Sequence, residues 1–412
     1  MSSTSSMRRS FASVLTAIAI GSSLTLAGCS GTTPPVDSSG SPSGPSAATS
    51  VSASPTGTPI RIGLEAPLSG DQKPTGVGML NGATLAAEQL NAKGGINGRP
   101  IHIIPIDDAA DAATGVAAAT AAIAAGLDGV VGPYNSGVGM QTLPLYLKAG
   151  LTPIRLTSNS ATNSMGYTLQ PMDYQIAPVA AEGLMNWLSA KKVAIVYDSS
   201  QSYTTDIATK LKGALAGGGI KVTTFEAVTP GEKSYVAQVK AAAALNPDVI
   251  YVATYFPEGA LIANAIYDQK VKAKCVVDFA SDDPGFITNA GRAAATNCTV
   301  VGVPSPIDFP DAVKFNADYK FAFAAEAGTW SPYTYDSVNV LAAAAAATGG
   351  FDAAALTGFF NKLKDWPGVT GAVSFDPATE NRSPATVVFL DVDHGGEFHV
   401  DKAWAVSTGA HY

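Results

Sequence analysis

Two short stretches carry hydroxyls and small residues in a pattern that suits a compact anion. They are Tyr134-Asn135-Ser136-Gly137 and the run from Thr157 to Ser164, Thr-Ser-Asn-Ser-Ala-Thr-Asn-Ser. Each follows a short apolar run, 129–132 in the first case and 152–156 in the second. Hydroxyls and exposed backbone N–H groups at the start of a helix hold a carboxylate well. The same residues also cap helices without any ligand, so one such turn says little and two on neighbouring strands say more. Tyr203 and Tyr255 stand at or just past the ends of two later apolar runs, 192–198 and 248–255. A large ring with a polar tip fits a cleft wall there, or plain packing. Asp278, Asp282 and Asp283 follow the run 274–277 and offer either a partner for an ammonium group or a cluster of surface acids.

Catalytic constellations are thin. The four histidines are His102, His394, His399 and His411, and no serine sits in a Gly-x-Ser-x-Gly context. The stretch Asp391 to His399, DVDHGGEFH, gathers metal-type ligands, but its central glycine pair between alternating apolar residues predicts a hairpin turn and no metal site. Neither GGING (94–98) nor GGIKV (218–222) has the spacing of a dinucleotide fingerprint or a P-loop. The expectation is a chain that is not an enzyme and has no cofactor. Net charge is −8, and removing the first 28 residues, with two arginines and no acid, takes it to −10. That balance excludes a phosphate-gripping surface, so nucleic acid is not an expected partner.

The elements that must position these residues alternate. The run 60–64 is a strand. Ala83, Ala86, Ala87 and Leu90 then share one helix face after a polar, glycine-rich loop. Gly94 and Gly95 fall where a left-handed helix cap is needed, and strand 101–106 follows Pro100. Helices at 109–125 and 141–149 alternate with strands 129–132 and 152–156. The rhythm restarts with strands at 192–198, 220–228, 248–255 and 274–279, separated by helices. Two such series predict two α/β lobes with mainly parallel sheets flanked by helices. Three helical segments over 311–364 and a β-rich tail from Thr370 predict that the chain passes between the lobes more than once.

The N-terminus is a targeting device rather than part of this fold. Arg8 and Arg9 precede an apolar run from Phe11 to Ile20, and Leu26-Ala27-Gly28-Cys29 forms a lipobox. Residues 1–28 are expected to be a lipoprotein signal peptide and Cys29 the lipidated residue. Residues 29–58, poor in large apolar side chains, read as a disordered Ser/Pro/Thr/Gly tether. The body is therefore expected outside the cytoplasm, lipid-anchored to the outer face of a bacterial cell membrane. Cys275 and Cys298, in a compartment that permits oxidation, form either a structural disulfide or two buried thiols.

With these residues in view, the chain resembles the substrate-binding proteins of ABC importers for branched-chain amino acids, the leucine/isoleucine/valine-binding type I periplasmic-binding-protein family. IGLEAPLSG (62–70), NGATLAAEQLNAKGGINGRPIHIIPIDDAAD (81–111), VVGPYNSG (130–137), VAIVYDSSQSY (193–203), NPDVIYVATYFPEG (246–259), YDSVNVLAAA (335–344) and GVTGAVSFDP (368–377) stand in the family's order. The resemblance implies a two-lobe fold with a multi-segment hinge near 170–177, 301–306 and 376–382. It divides the body into a first lobe of 59–175 plus 302–377 and a second of 176–301 plus 378–412. It implies a monomer that captures an amino acid, branched-chain by default with a different amino acid, an amide or a small carboxylate in reserve, and delivers it to a permease driven by a separate ATPase. A ligand sensor of the same fold that signals to a membrane partner is the alternative. Carried over, the ligand carboxylate would meet Ser136 and the turn Ser158-Asn159-Ser160, or Ser160-Ala161-Thr162 in a register two residues on. Tyr203 and Tyr255 match the family's cleft tyrosines. For the ammonium no acid matches cleanly and Asp278 is the nearest. Thr75 stands where relatives often carry an aromatic over the ligand.

Overall fold

The computed structural model describes residues 55–410. The signal-peptide segment 1–28, Cys29 and the tether as far as residue 54 lie outside the described residues. The tether was expected to run to 58, but Gly57 donates its N–H to Gly98 O (3.0 Å) and Thr58 O accepts from Arg99 Nε (2.8 Å), so its last residues are docked on the body.

The alternating pattern folds into two seven-stranded sheets. β1 (Ile60–Ala66), β2 (Ile101–Asp107), β3 (Gly129–Val131), β4 (Pro153–Arg155) and β5 (Tyr167–Thr168) build the first. β6 (Lys192–Asp198), β7 (Lys221–Val228), β8 (Val249–Ala253), β9 (Lys274–Val277) and β10 (Cys298–Gly302) build the second. The tail supplies a short ribbon, β11 (Trp366–Gly368) with β12 (Gly371–Val373), then β13 (Phe375–Asp376), β14 (Asn381–Arg382), β15 (Val388–Val392) and β16 (Phe398–Val400). The orders are β13-β14-β5-β4-β3-β1-β2 and β16-β15-β10-β9-β8-β6-β7. All pairings are parallel except β13/β14 in the first sheet and β10/β15 and β15/β16 in the second. Helices cover both faces, which is why β8, Val-Ile-Tyr-Val-Ala, is buried at every residue.

The chain crosses between sheets after β5, after β10 and after β14. The third crossing corrects the expected boundary at 377/378 and the expected hinge at 376–382. Those residues form the β13–β14 hairpin, and Asn381 pairs with Thr168 of the first sheet, so the crossing falls at 383–387.

Local details follow from residue type. Helix Lys73–Ala92 stops where Gly94 and Gly95 turn left-handed (φ 101° and 69°), and Gly95 N–H caps Leu90 O at 3.0 Å. That helix starts well before the expected loop ends. Its glycines serve packing: a Cβ on Gly82 would lie 2.1 Å from Ser331 O, so only glycine lets it lie against helix Ser331–Thr348. Cys275 and Cys298 face each other across β9 and β10, 4.5 Å apart at Cα, and are joined by a disulfide. The stretch 391–399 is the expected hairpin between β15 and β16. No single helix among the described residues is long and apolar enough to cross a membrane.

Candidate functional site

In open parallel sheets, ligands bind beyond the carboxyl ends of the strands. Here the segments leaving β3, β4 and β5 face those leaving β6, β8 and β9 across one cleft. After β3 the chain must turn sharply: Gly132 has φ 96°, and a Cβ there would lie 2.0 Å from Glu65 O. This turn delivers Tyr134, Asn135 and Ser136, and Ser136 opens helix Ser136–Lys148. β4 delivers Leu156 and Ser158, and the first crossing delivers Gln170. From the second lobe, Tyr203 sits in the first turn of helix Ser202–Gly217, Tyr255 is the N-cap of helix Phe256–Asp268, and Phe279 and Ala280 follow β9.

Nine of these residues, all but Asn135, line a small closed-down cavity whose free volume is about 10 Å³, room for about one water. Every one of them is buried, so the lobes are closed on each other. One side is polar. Ser136 Oγ accepts from the N–H groups of Ser158 (3.3 Å) and Asn159 (3.2 Å). Ser158 Oγ donates to Pro171 O (2.8 Å) and accepts from Gln170 Nε2 (2.7 Å). The other side is aromatic: Tyr134 packs on Tyr255 (centroids 6.0 Å) and Trp330 (5.5 Å), Phe279 on Trp330 (5.1 Å) and Tyr203 (6.1 Å). Two buried atoms of the lining have no hydrogen-bond partner among the described residues, Gln170 Oε1 and the Tyr203 hydroxyl.

Of the residues singled out in the sequence, Ser136, Ser158, Tyr203 and Tyr255 come together on this wall, while Asn159, Ser160 and Asp278 do not. Asn159 reaches across the cleft, its Nδ2 donating to Ser202 O at 3.0 Å. Ser160 turns away, and its N–H (2.8 Å) and hydroxyl (3.0 Å) both go to Asp173. In the later register, Thr162 bonds Thr157 Oγ1 (2.8 Å) and is equally remote from the wall. Asp278 caps the short helix 279–281 and accepts from the Tyr251 hydroxyl and Ala280 N–H. Its burial pushes its carboxyl up to about 6, against the pull of those donors. Asp282 is held by Val303 N–H (2.9 Å) and Thr329 Oγ1 (3.2 Å). Asp283 accepts from Gly285 N–H (2.7 Å) and Thr75 Oγ1 (2.6 Å). Thr75 thus bridges the lobes rather than covering the cavity.

Sequence reasoning assigned no ligand-facing role to Leu156, Phe279, Ala280 or Trp330, named Tyr134 only as the first residue of the 134–137 turn and placed Gln170 only at the start of a hinge segment. Phe279 was read as the end of the strand 274–279. Gln170 and Trp330 carry no local pattern, because only the lobe crossing and the closed cleft bring them in. Elsewhere, Asp393, Glu397 and His399 bring ligand-type atoms within 4.8 Å of one another on the β15–β16 hairpin, with both acids exposed. Asp393 there accepts Glu397 N–H (2.9 Å), a turn-stabilising bond. Glu65 and Asp108 form a fully buried acidic pair under helix Ala112–Ala124. The Tyr146 and Thr142 hydroxyls face the Glu65 carboxyl and pull its pKa down against the burial, while Asp108 Oδ2 finds no hydrogen-bond partner among the described residues. Burial, then the neighbouring acid, raises Glu65 well above the usual range, and burial lifts Asp108 to about 7.

Comparison with known proteins agrees with this fold. The family model described as periplasmic binding protein matches residues 59–397. Leu/Ile/Val-binding protein homolog 1 of Brucella melitensis is 30% identical over 345 residues, covering 80% of this chain and 90% of that protein. The leucine-binding protein LivK of Thermotoga maritima superposes with a TM-score of 0.76 at 21% identity, over 84% of this chain and 99% of that one. A solute-binding protein of an ABC transporter from R. palustris, in complex with 4-hydroxybenzoate, superposes with a TM-score of 0.75 at 18% identity, over 83% and 95%. At such identities the two structures speak for the fold.

Proposed function

The chain belongs to the family of periplasmic binding proteins, and on that premise we propose that it is the solute receptor of an ABC importer. In this reading it captures a small carboxylate between its lobes and presents the closed form to a membrane permease served by an ATPase on another chain. The family works outside the cytoplasm; the anchor we assign is a lipid on Cys29, with residues beyond it as tether and the body a monomer. The reading is supported above all by one observation, a buried cavity at the carboxyl ends of both sheets with hydroxyls on one side and rings on the other. The ligand carboxylate is assigned to Ser136 and Ser158, at the positive end of helix Ser136–Lys148. Tyr203 and Tyr255 close over it from the second lobe.

The branched-chain amino acids in the name of the Brucella relative are the default candidates. The R. palustris protein, with its 4-hydroxybenzoate, widens the field to carboxylates without an ammonium. Thermal unfolding of the purified protein against the common amino acids and a panel of small carboxylates tests the reading. A ligand that binds only the folded state raises the melting temperature in a saturable way. At least one member of the panel is expected to do so, and a flat response to all of them removes the assignment.

A further inference from the structure

The cavity has a charge pattern of its own. Its nine lining residues are Tyr134, Ser136, Leu156, Ser158, Gln170, Tyr203, Tyr255, Phe279 and Ala280, with no carboxylate among them. Every acid that the sequence offered nearby is occupied by the protein's own donors. Asp278 takes the Tyr251 hydroxyl and Ala280 N–H, Asp282 takes Val303 N–H and Thr329, and Asp283 takes Thr75 and Gly285 N–H. Asp198, at the end of β6, takes the N–H (2.8 Å) and hydroxyl (2.7 Å) of Ser200. After β9, where an acid would face the ligand from the second lobe, the residues that reach the wall are Phe279 and Ala280.

The field of the backbone points the same way. Helices Ser136–Lys148, Ser202–Gly217 and Phe256–Asp268 all begin at the cavity wall, at Ser136, beside Tyr203 and just after Tyr255. Helix N-termini carry partial positive charge, which favours an anion and opposes a cation. A buried ammonium without a carboxylate partner bears a large desolvation cost. The rings pack edge to face or tilted on one another, with centroids 5.1 to 6.1 Å apart, and make the apolar side of the wall. The unpartnered Gln170 Oε1 suits an uncharged polar group such as a hydroxyl, while the Tyr203 hydroxyl is oriented toward Asp278.

We propose that the solute is a small carboxylate whose other end is uncharged, apolar or hydroxylated, and not an amino acid. This rests on the solute-receptor reading above and narrows it.

Calorimetric titration of the purified protein with matched pairs separates the two. Leucine is compared with 4-methylpentanoate and 2-hydroxy-4-methylpentanoate, and phenylalanine with 3-phenylpropanoate and 3-phenyllactate, with glycine betaine added to probe the rings. In at least one series the member without nitrogen is expected to bind ten-fold or more tightly than its amino acid. Tighter binding of the amino acid overturns the proposal and leaves the receptor reading standing, as does tightest binding of betaine. No binding by any carboxylate sinks both. Ala280→Asp supplies the missing charge at the wall and is expected to move the preference at least ten-fold toward the amino acid. An unchanged preference in a variant with wild-type circular dichroism counts against the argument from Ala280.

Discussion

Ser136 and Ser158 were legible as residues because hydroxyl-rich turns follow two neighbouring strands, which plain helix capping does not require, and both reach the cavity wall. Their neighbours Asn159 and Ser160, likewise small and polar, were not separable from them in sequence. Which hydroxyl faces inward depends on the turn geometry, and Asp173, which pulls Ser160 away, is thirteen residues further on. Ser136→Ala removes one hydroxyl from the wall and frees the N–H groups of Ser158 and Asn159. Loss of a single hydrogen bond to a charged ligand is worth about 1.5–3 kcal/mol, so the variant is expected to bind at least ten-fold more weakly in calorimetry while its ligand-free melting temperature changes little. Equal affinity would remove Ser136 from the site. Glu65 and Asp108 allow a second residue-scale expectation. Both carboxyls are raised in the folded state, so the fold binds protons more tightly than the unfolded chain there, and their contribution is lost as pH rises from about 4 through the folded value of about 7 for Asp108. Glu65→Gln is therefore expected to stabilise the protein at pH 8 and to have little effect at pH 5. Chemical denaturation at the two pH values checks this; equal destabilisation at both would show that Glu65 holds the core together by hydrogen bonding instead.

Elements were more legible than single contacts, because apolar periodicity and glycine caps are local properties. The strand at Ile60–Ala66, the glycine-capped end of helix Lys73–Ala92 and the strand at Ile101–Asp107 follow from such signals. The start of that helix did not, since its glycines look like loop residues until helix Ser331–Thr348 is seen packed within backbone contact of Gly82. Helix Lys402–Thr408, also unforeseen, depends on the Asp401 cap and on Trp404 packing against Phe389 at 5.5 Å. The disulfide between β9 and β10 is an element-scale device. It closes a loop of 23 residues beside the segment that brings Phe279 and Ala280 to the cavity. Constraining the unfolded chain over such a loop is worth about 3 kcal/mol. Replacing both cysteines by alanine is expected to lower the unfolding free energy by roughly that amount. A loss below about 0.5 kcal/mol would mean that the strand pairing alone specifies this edge.

At the scale of the whole molecule, two lobes could be read from the restart of the strand-helix rhythm, whereas the third crossing was expected a few residues too early, because β13 and β14 are only two residues each and carry no periodicity to mark their place. Closure depends on bonds that exist only when the lobes meet. Thr75 Oγ1 to Asp283 (2.6 Å) and Asn159 Nδ2 to Ser202 O (3.0 Å) are two of them, and neither residue lines the cavity. In an open form these groups turn to water, so their net worth enters as the closed fraction of the ligand-free protein, and the apparent dissociation constant varies inversely with that fraction. Asn159→Ala removes one neutral hydrogen bond, about 1 kcal/mol, and is expected to weaken binding roughly five-fold with the larger change in the dissociation rate. Combined with Thr75→Val, which also leaves Asp283 buried without its hydroxyl donor, the loss is expected to exceed ten-fold. Small-angle scattering supplies the independent readout: saturating ligand contracts the wild-type protein, and the double variant requires more ligand for the same contraction. Unchanged affinity in the double variant, with unchanged scattering, would mean that the hinge segments alone set the closed state and that the cross-cleft bonds follow closure without driving it.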